Sequence, residues 1–319
     1  MLQETIKKIV EKKPNVVVMG DLMLDKYILG YVDRVSPEAP VPIVNFIEEK
    51  KTLGGCGNVA RNLDNLGANV FMISMVGEDD SGDTIIDLLS KRKISVSGIL
   101  VSNDIKTTEK MRVLGGKQQI VRIDREGNGQ NQRKHNDLLN VLSTQKENIQ
   151  GVIVSDYGKG ICSEYLMNAT MEIAQSIGIP VFIDPKGVKW QKYRKADLIT
   201  PNTNEAELVL GRKLHSDKDF EFAGKEICSS FDIKACLITR GSEGMSYISS
   251  DEVFHLRSEA KEIFDVSGAG DTVISAMAAG LTINLSYREA AELSNQAAGI
   301  VVGHIGTTAI TKKELLNLN

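Results

Sequence analysis

The sequence predicts an α/β chain: a doubly wound, mostly parallel sheet flanked by helices, with a small separate β-sheet. Two observations carry this prediction. Short apolar, β-rich runs at Gly151–Ser155, Val181–Asp184, Leu198–Thr200 and Ala235–Thr239 alternate with helical stretches, the order that produces parallel strands covered on both faces. Two irregular stretches, Tyr27–Glu49 and Ile99–Asp124, are rich in β-formers but break that alternation. They are expected to form the separate sheet.

Taken in order, Asn15–Gly20 reads as a buried first strand closed by glycine. Pro37, Pro40 and Pro42 exclude a central strand where they stand and suit edges and turns. A glycine-rich stretch from Leu53 opens a helix through Ala60, Leu63 and Leu66, with Gly67 as its C-cap. Val70–Val76 is the next strand. From Ala269 to Gly303 the chain reads as helical and nearly uncharged on several faces, as a buried helix would be. Polar clusters directly follow five predicted strands: Gly20-Asp21, Ser155-Asp156, Asp184-Pro-Lys186, Pro201-Asn202 and Thr239-Arg240-Gly241. In open α/β sheets ligands bind beyond the carboxyl ends of strands, so these clusters predict one cleft.

Bulk properties remove other classes. Of 319 residues, 42% are hydrophobic and 25% charged, an ordinary globular composition. A net charge of −4 gives no electrostatic case for nucleic acid or an anionic membrane. No run approaches the ~18 apolar residues of a membrane span. Cys56, Cys162, Cys228 and Cys236 lack zinc or disulfide-framework spacing, and Cys56 reads as packing. The histidines at 135, 215, 255 and 304 lack metal-ligand spacing. The N-terminus is charged and amphipathic without an apolar signal core. A cytoplasmic protein is expected.

The segment with most chemistry is Asp265-Val-Ser-Gly-Ala-Gly-Asp271, followed by a helical run. Small residues let backbone approach an anion, and a helix opening after them aims free N–H groups at it. An aspartate at its edge can accept a proton from an attacking hydroxyl, as phosphoryl transfer requires. A glycine-rich turn capped by aspartate explains the segment equally well. It is neither a P-loop, since G-x-x-x-x-G-K-[ST] is absent, nor a dinucleotide fingerprint.

Asp265 to Gly280 resembles the C-terminal signature of the ribokinase-like (PfkB) carbohydrate kinases. Gly54-Gly-Cys-Gly-Asn58-Val-Ala60 resembles their G-G-x-x-N-x-A signature, and Asn202-Thr-Asn204-Glu205 their N-x-x-E motif. More closely, Gly20–Tyr27, Arg34–Pro42, Ser155–Gly160, Ile183–Gly187 and Val302–Thr307 resemble the bacterial D-glycero-β-D-manno-heptose-7-phosphate kinases. That likeness implies ATP-dependent phosphorylation at the anomeric O1, on the route to ADP-heptose and lipopolysaccharide. Kinases for other sugars or nucleosides share the broader signatures. A non-catalytic sensor on this fold would be expected to lack the base, and Asp271 is present. Some heptose kinases are fused to an adenylyltransferase. Here a single ribokinase-like domain over 1–319, with lid segments near 27–49 and 99–124, is expected to act as a kinase only.

The resemblance also implies roles. Asp271 would be the base, with Ser267, Gly268, Ala269 and Gly270 supplying a backbone anion hole. Asp21 and Asp25 would hold sugar hydroxyls, and Gly54, Gly55 and Asn58 would border the sugar. A remote phosphate needs cations. Arg112 and Lys186 are favoured, with Lys110, Lys117 and Arg122 nearby in sequence or stretch. Asn202, Asn204 and Glu205 would lie near the phosphates of ATP and Mg²⁺, Glu205 reaching the metal through water. Thr239, Arg240, Gly241 and Gly244 would border ribose and phosphates, and Asn295 the adenine. The two irregular stretches would lid the sugar and pair in a homodimer.

Overall fold

The computed structural model describes residues 2–116, 118–126, 132–145, 148–260, 265–304 and 306–316. Along the first half run α1 (Leu2–Lys12), β1 (Asn15–Gly20), β2 (Leu22–Val35), β3 (Pro42–Gly55), α2 (Cys56–Leu66), β4 (Asn69–Gly77), α3 (Asp80–Lys91), β5 (Ser95–Ser102), β6 (Thr108–Gly115) and β7 (Gln118–Arg125). Then follow α4 (Gln132–Gln145), β8 (Gly151–Ser155), α5 (Glu164–Ile177), β9 (Val181–Asp184), β10 (Leu198–Ile199), α6 (Thr203–Leu210), α7 (Asp217–Phe231) and β11 (Ala235–Thr239). The chain closes with β12 (Met245–Ser249), β13 (Val253–Leu256), α8 (Ala269–Leu281), α9 (Tyr287–Val301) and α10 (Lys312–Leu316).

The main sheet has the order β13-β12-β11-β10-β9-β8-β1-β4-β5. It is parallel from β11 to β5, and β12 and β13 add an antiparallel edge. Side chains of β1 alternate between two cores, Val16 and Val18 on one face and Val17 and Met19 on the other. The first core takes in residues of α1, α2, α3, α8 and α9, the second residues of α4, α5, α6 and α7. This is the doubly covered sheet the alternation predicts.

The second sheet, β3-β2-β6-β7, stands apart as expected, with different bounds. Residues 99–102 belong to β5 at the edge of the main sheet, and β2 and β3 run beyond 27–49 at both ends. Pro37 and Pro40 fall in the turn and Pro42 opens the edge strand β3, where no ladder bond is lost. The expected helix over 269–303 is two helices, because Asn284 turns left-handed (φ +66°) and Ser286 caps α9 through a capping box with Glu289. None of the described helices is long and apolar enough to cross a membrane.

Candidate active site

From the central pair β1 and β8 the strand order runs in opposite directions, so a crevice opens beyond their carboxyl ends. Helix α8 begins there. Gly268 precedes it in the left-handed region (φ +86°), and a Cβ at that position would lie 2.8 Å from Asn58 Nδ2. The turn places Asp271 in the first turn of α8, only 3% exposed. Its Oδ2 accepts from Asn58 Nδ2 at 2.8 Å and its Oδ1 from the Tyr157 hydroxyl at 2.8 Å. Burial pushes this carboxyl up to about 6 and Asp25 adds to the rise, while the two hydrogen bonds and Lys110 oppose it. The N–H groups of Gly270 and Asp271 have no partner among the described residues, and space beside Gly270 is open. Ser267 donates its N–H to Asp265 at 2.9 Å, which also takes the Gly306 N–H, and Ala269 donates to the Val266 carbonyl at 3.2 Å, so the turn itself engages two of the N–H groups expected in the anion hole.

The second sheet brings the sugar-side candidates to this point. In β2, Asp25 is buried and accepts from Arg112 of β6 at 2.6 Å. Gly54 makes room for that carboxylate, since a Cβ there would sit 2.5 Å from Asp25 Oδ2. The next residue, Gly55, caps α2, which carries Asn58. Lys110 pairs in register with Asp25 and Arg112 with Tyr27, while Arg122 of β7 stands beside Arg112. Burial lowers the Lys110 ammonium. Lys117 lies outside the described residues. Tyr27 stacks near Arg112 and accepts the Thr307 N–H at 2.8 Å, tying the second sheet to the loop behind Gly268.

Asp21 is placed differently from Asp25. Its carboxylate takes the N–H groups of Tyr157 (2.8 Å), Lys159 (3.0 Å) and Ile161 (3.1 Å). It braces the loop after β8.

The nucleotide-side candidates form a shelf beyond β9, β10 and β11. Asn202 caps α6, and Glu205 returns a bond to the Asn202 N–H at 3.1 Å. Asn204 is exposed beside them. Lys186 sits here rather than with Arg112: its ammonium reaches Glu205 at 3.1 Å. Thr239 accepts from the Thr203 hydroxyl at 3.2 Å. Arg240 is committed to Asp217 (2.6 Å), Glu243 (2.9 Å) and Ser246 (3.1 Å), and lies over the Phe220 ring. Gly241 and Gly244 bracket the turn after it. Asn295 of α9 donates to the Arg257 carbonyl at 2.6 Å.

Two residues of the site went unassigned in the sequence. Tyr157, within the Ser155–Gly160 segment, bonds the candidate base directly. Asp184, at the end of β9, is pushed upward by burial and by the neighbouring Asp271 and Glu205. The strand-end position of both segments was the available signal.

Residues 13–314 match the model of the pfkB family carbohydrate kinases. Bifunctional protein HldE of Histophilus somni (strain 129Pt) is 41% identical over 306 residues, 96% of this chain and 63% of that protein. Its namesake in Geobacter sulfurreducens is 40% identical over 307 residues, 95% of this chain and 62% of that protein. The chain therefore spans less than two thirds of the length of these curated relatives. Phosphofructokinase-2 from Escherichia coli in complex with potassium superposes with a TM-score of 0.79 at 20% identity, over 95% of this chain and 97% of that one. Ribokinase from Arabidopsis thaliana complexed with ribose and ATP gives 0.74 at 19% identity, over 95% and 98%. These structures share the fold. With a family model matched along nearly its whole length and relatives of about 40% identity across it, the chain belongs to the pfkB family of carbohydrate kinases.

Proposed function

We propose that the chain transfers the γ-phosphoryl group of ATP to O1 of D-glycero-β-D-manno-heptose 7-phosphate, giving the 1,7-bisphosphate. One observation carries the reading: segments resembling heptose-7-phosphate kinases, far apart in sequence, converge around Asp271. Tyr157 of the Ser155–Gly160 segment bonds Asp271, Asp21 of the Gly20–Tyr27 segment braces Tyr157, and Thr307 of the Val302–Thr307 segment meets Tyr27.

In this reading Asp271 accepts the O1 proton as O1 attacks the γ-phosphorus. The free Gly270 and Asp271 N–H groups and the positive end of α8 receive charge on the transferring group. Asp25 orients sugar hydroxyls with the oxygen that Arg112 leaves available. Lys110, Arg112 and Arg122 are offered to the 7-phosphate. Glu205 and Lys186 suit a magnesium-bound triphosphate, Glu205 through water, with the metal supplying charge neutralisation. The second sheet then serves as a lid that excludes water. Our reading of the setting is the cytoplasm, where the four free thiols stay reduced.

The lid supports pairing of two copies. Phe46 and Ile47 on β3 are 65% and 61% exposed, and Val35, Val121 and Ile123 are exposed on the same sheet. In sedimentation velocity the protein should run as a dimer and Phe46→Asp should shift it towards monomer. A wild-type monomer at micromolar concentration would end this part of the reading.

The function itself is tested by coupled ADP release with heptose 7-phosphate, ribose, fructose 6-phosphate and adenosine as acceptors. Heptose 7-phosphate should give the highest kcat/KM. Preference for another acceptor would replace the substrate.

A further inference from the structure

We propose that Tyr157 is a positioning residue for phosphoryl transfer: its hydroxyl holds one oxygen of Asp271 aimed and charged until a hydroxyl of the acceptor shares that oxygen. The inference rests on reading Asp271 as the base.

Both Asp271 oxygens are engaged, one by Asn58 Nδ2 and one by the Tyr157 hydroxyl, each at 2.8 Å. The Asn58 amide also reaches the Thr308 carbonyl at 3.4 Å. The Tyr157 bond comes from the loop after β8, on the side where Lys110 of the lid lies 5.5 Å from the Tyr157 ring. Burial and the neighbouring Asp271 push the phenol far upward, so it stays protonated and acts towards Asp271 as a donor. A carboxylate oxygen has two lone pairs, so an incoming hydroxyl can share Oδ1 or take it over.

The loop is built to fix this hydroxyl. Asp21 takes the N–H groups of Tyr157, Lys159 and Ile161, and Asp156 that of Gly158 at 2.7 Å. Asp156 is itself held by the Tyr193 hydroxyl at 2.7 Å and by Lys192. The Tyr193 hydroxyl in turn accepts the Lys186 N–H at 3.1 Å. Two buried carboxylates thus anchor one short loop, and its tyrosine is the side chain that reaches Asp271. A merely packed tyrosine would need neither the anchors nor the bond.

The charged and titratable groups around Asp271 are Asp25 of β2, Lys110 of β6, Arg61 and Cys56 of α2, Asp184 of β9 and Tyr157 itself. Tyr157→Phe removes only the donor and keeps the ring. A hydrogen bond to a carboxylate corresponds to a shift of about one pH unit. With Asp271 near 6, the acid limb of kcat/KM should move up by that amount. Activity should then fall about fivefold at pH 6, and the deficit should narrow as pH rises.

The test is the pH profile of kcat/KM for wild type, Tyr157→Phe and Asp271→Asn. It is paired with the carboxyl-carbon NMR titration of Asp271 in substrate-free protein, identified by its loss in Asp271→Asn. An upward shift in both profile and titration supports the inference. A uniform loss at every pH with the titration unmoved overturns it in favour of simple packing, and so does a profile identical to wild type. If Asp271→Asn keeps wild-type turnover, the base assignment itself falls, a result distinct from either.

Discussion

The two halves of the site are built in opposite ways. On the proposed acceptor side, the bonds join residues far apart in the chain: Asn58 to Asp271 across 213 positions, Tyr157 to Asp271 across 114, Arg112 to Asp25 across 87. The carboxylates there are buried. On the proposed nucleotide side the spans are shorter, from three residues for Asn202 to Glu205 and Arg240 to Glu243 up to 38 for Asn295 to Arg257. The Lys186–Glu205 pair there is partly exposed. The contrast teaches that the acceptor half is preorganised by the fold at a cost in buried charge. The nucleotide half closes on itself through helix caps and surface pairs that a charged ligand can reopen cheaply.

The sharpest way to break the comparison is Asp271→Asn. Turnover should fall by about 10³-fold, within the usual range for a general base, while nucleotide binding measured by calorimetry is retained. Near-normal turnover would remove the base from the acceptor half. The same variant reads the cost of burial. The Asp271 carboxyl titrates near 3.8 when unfolded and about 6 when folded. Its protonated form therefore suits the fold below about pH 4, and stability is forfeited as pH rises through 6. Asp271→Asn should accordingly gain about 1–2 kcal/mol over wild type at pH 8 and nothing at pH 4, after allowing for one mismatched hydrogen bond. Activity of the wild type should be lost as pH drops through about 6, because the proposed base must be ionised.

Arg112→Leu comes next. It leaves Asp25 buried without its cation, and should cost about 3 kcal/mol in chemical denaturation while raising KM for the sugar. An unaltered unfolding midpoint would mean that the pairing in the second sheet is loose and the proposed acceptor half less preorganised than its distances imply. The smallest effect on stability belongs to Lys186→Ala, since an exposed pair contributes about 0.5 kcal/mol. Its kinetic signature is the informative part: KM for ATP should rise and that for the sugar should not. The reverse split would return Lys186 to the sugar phosphate.

Legibility followed the range of the interactions. Strands β8, β9 and β11 carry the bounds read from short apolar runs, because a strand buried on both faces must be apolar throughout. The turn at Asn284 and the Ser286 cap were equally local signals, hidden by the apolar character of the helices on either side. The end of β5 reads as part of the second sheet in sequence because Val, Ile and Thr content does not reveal which sheet a strand joins. In the site, Asp271, Asn58 and Glu205 were visible through their motifs. Tyr157 stands in a resembling segment, and nothing local marks a tyrosine as the partner of a carboxylate 114 residues away.

The alternation of strands and helices, the glycine turn ahead of α8 and the carboxylate at its start are all set by residues within a few positions of one another, and so are legible along the chain. That Asp21 braces a loop while Asp25 pairs with Arg112, and that Lys186 stands with Glu205, emerges only once the strands are packed. Aspartate and lysine are chemically the same at every position. Their partners, and the burial that moves their protons, are fixed by which strands the sheets set side by side.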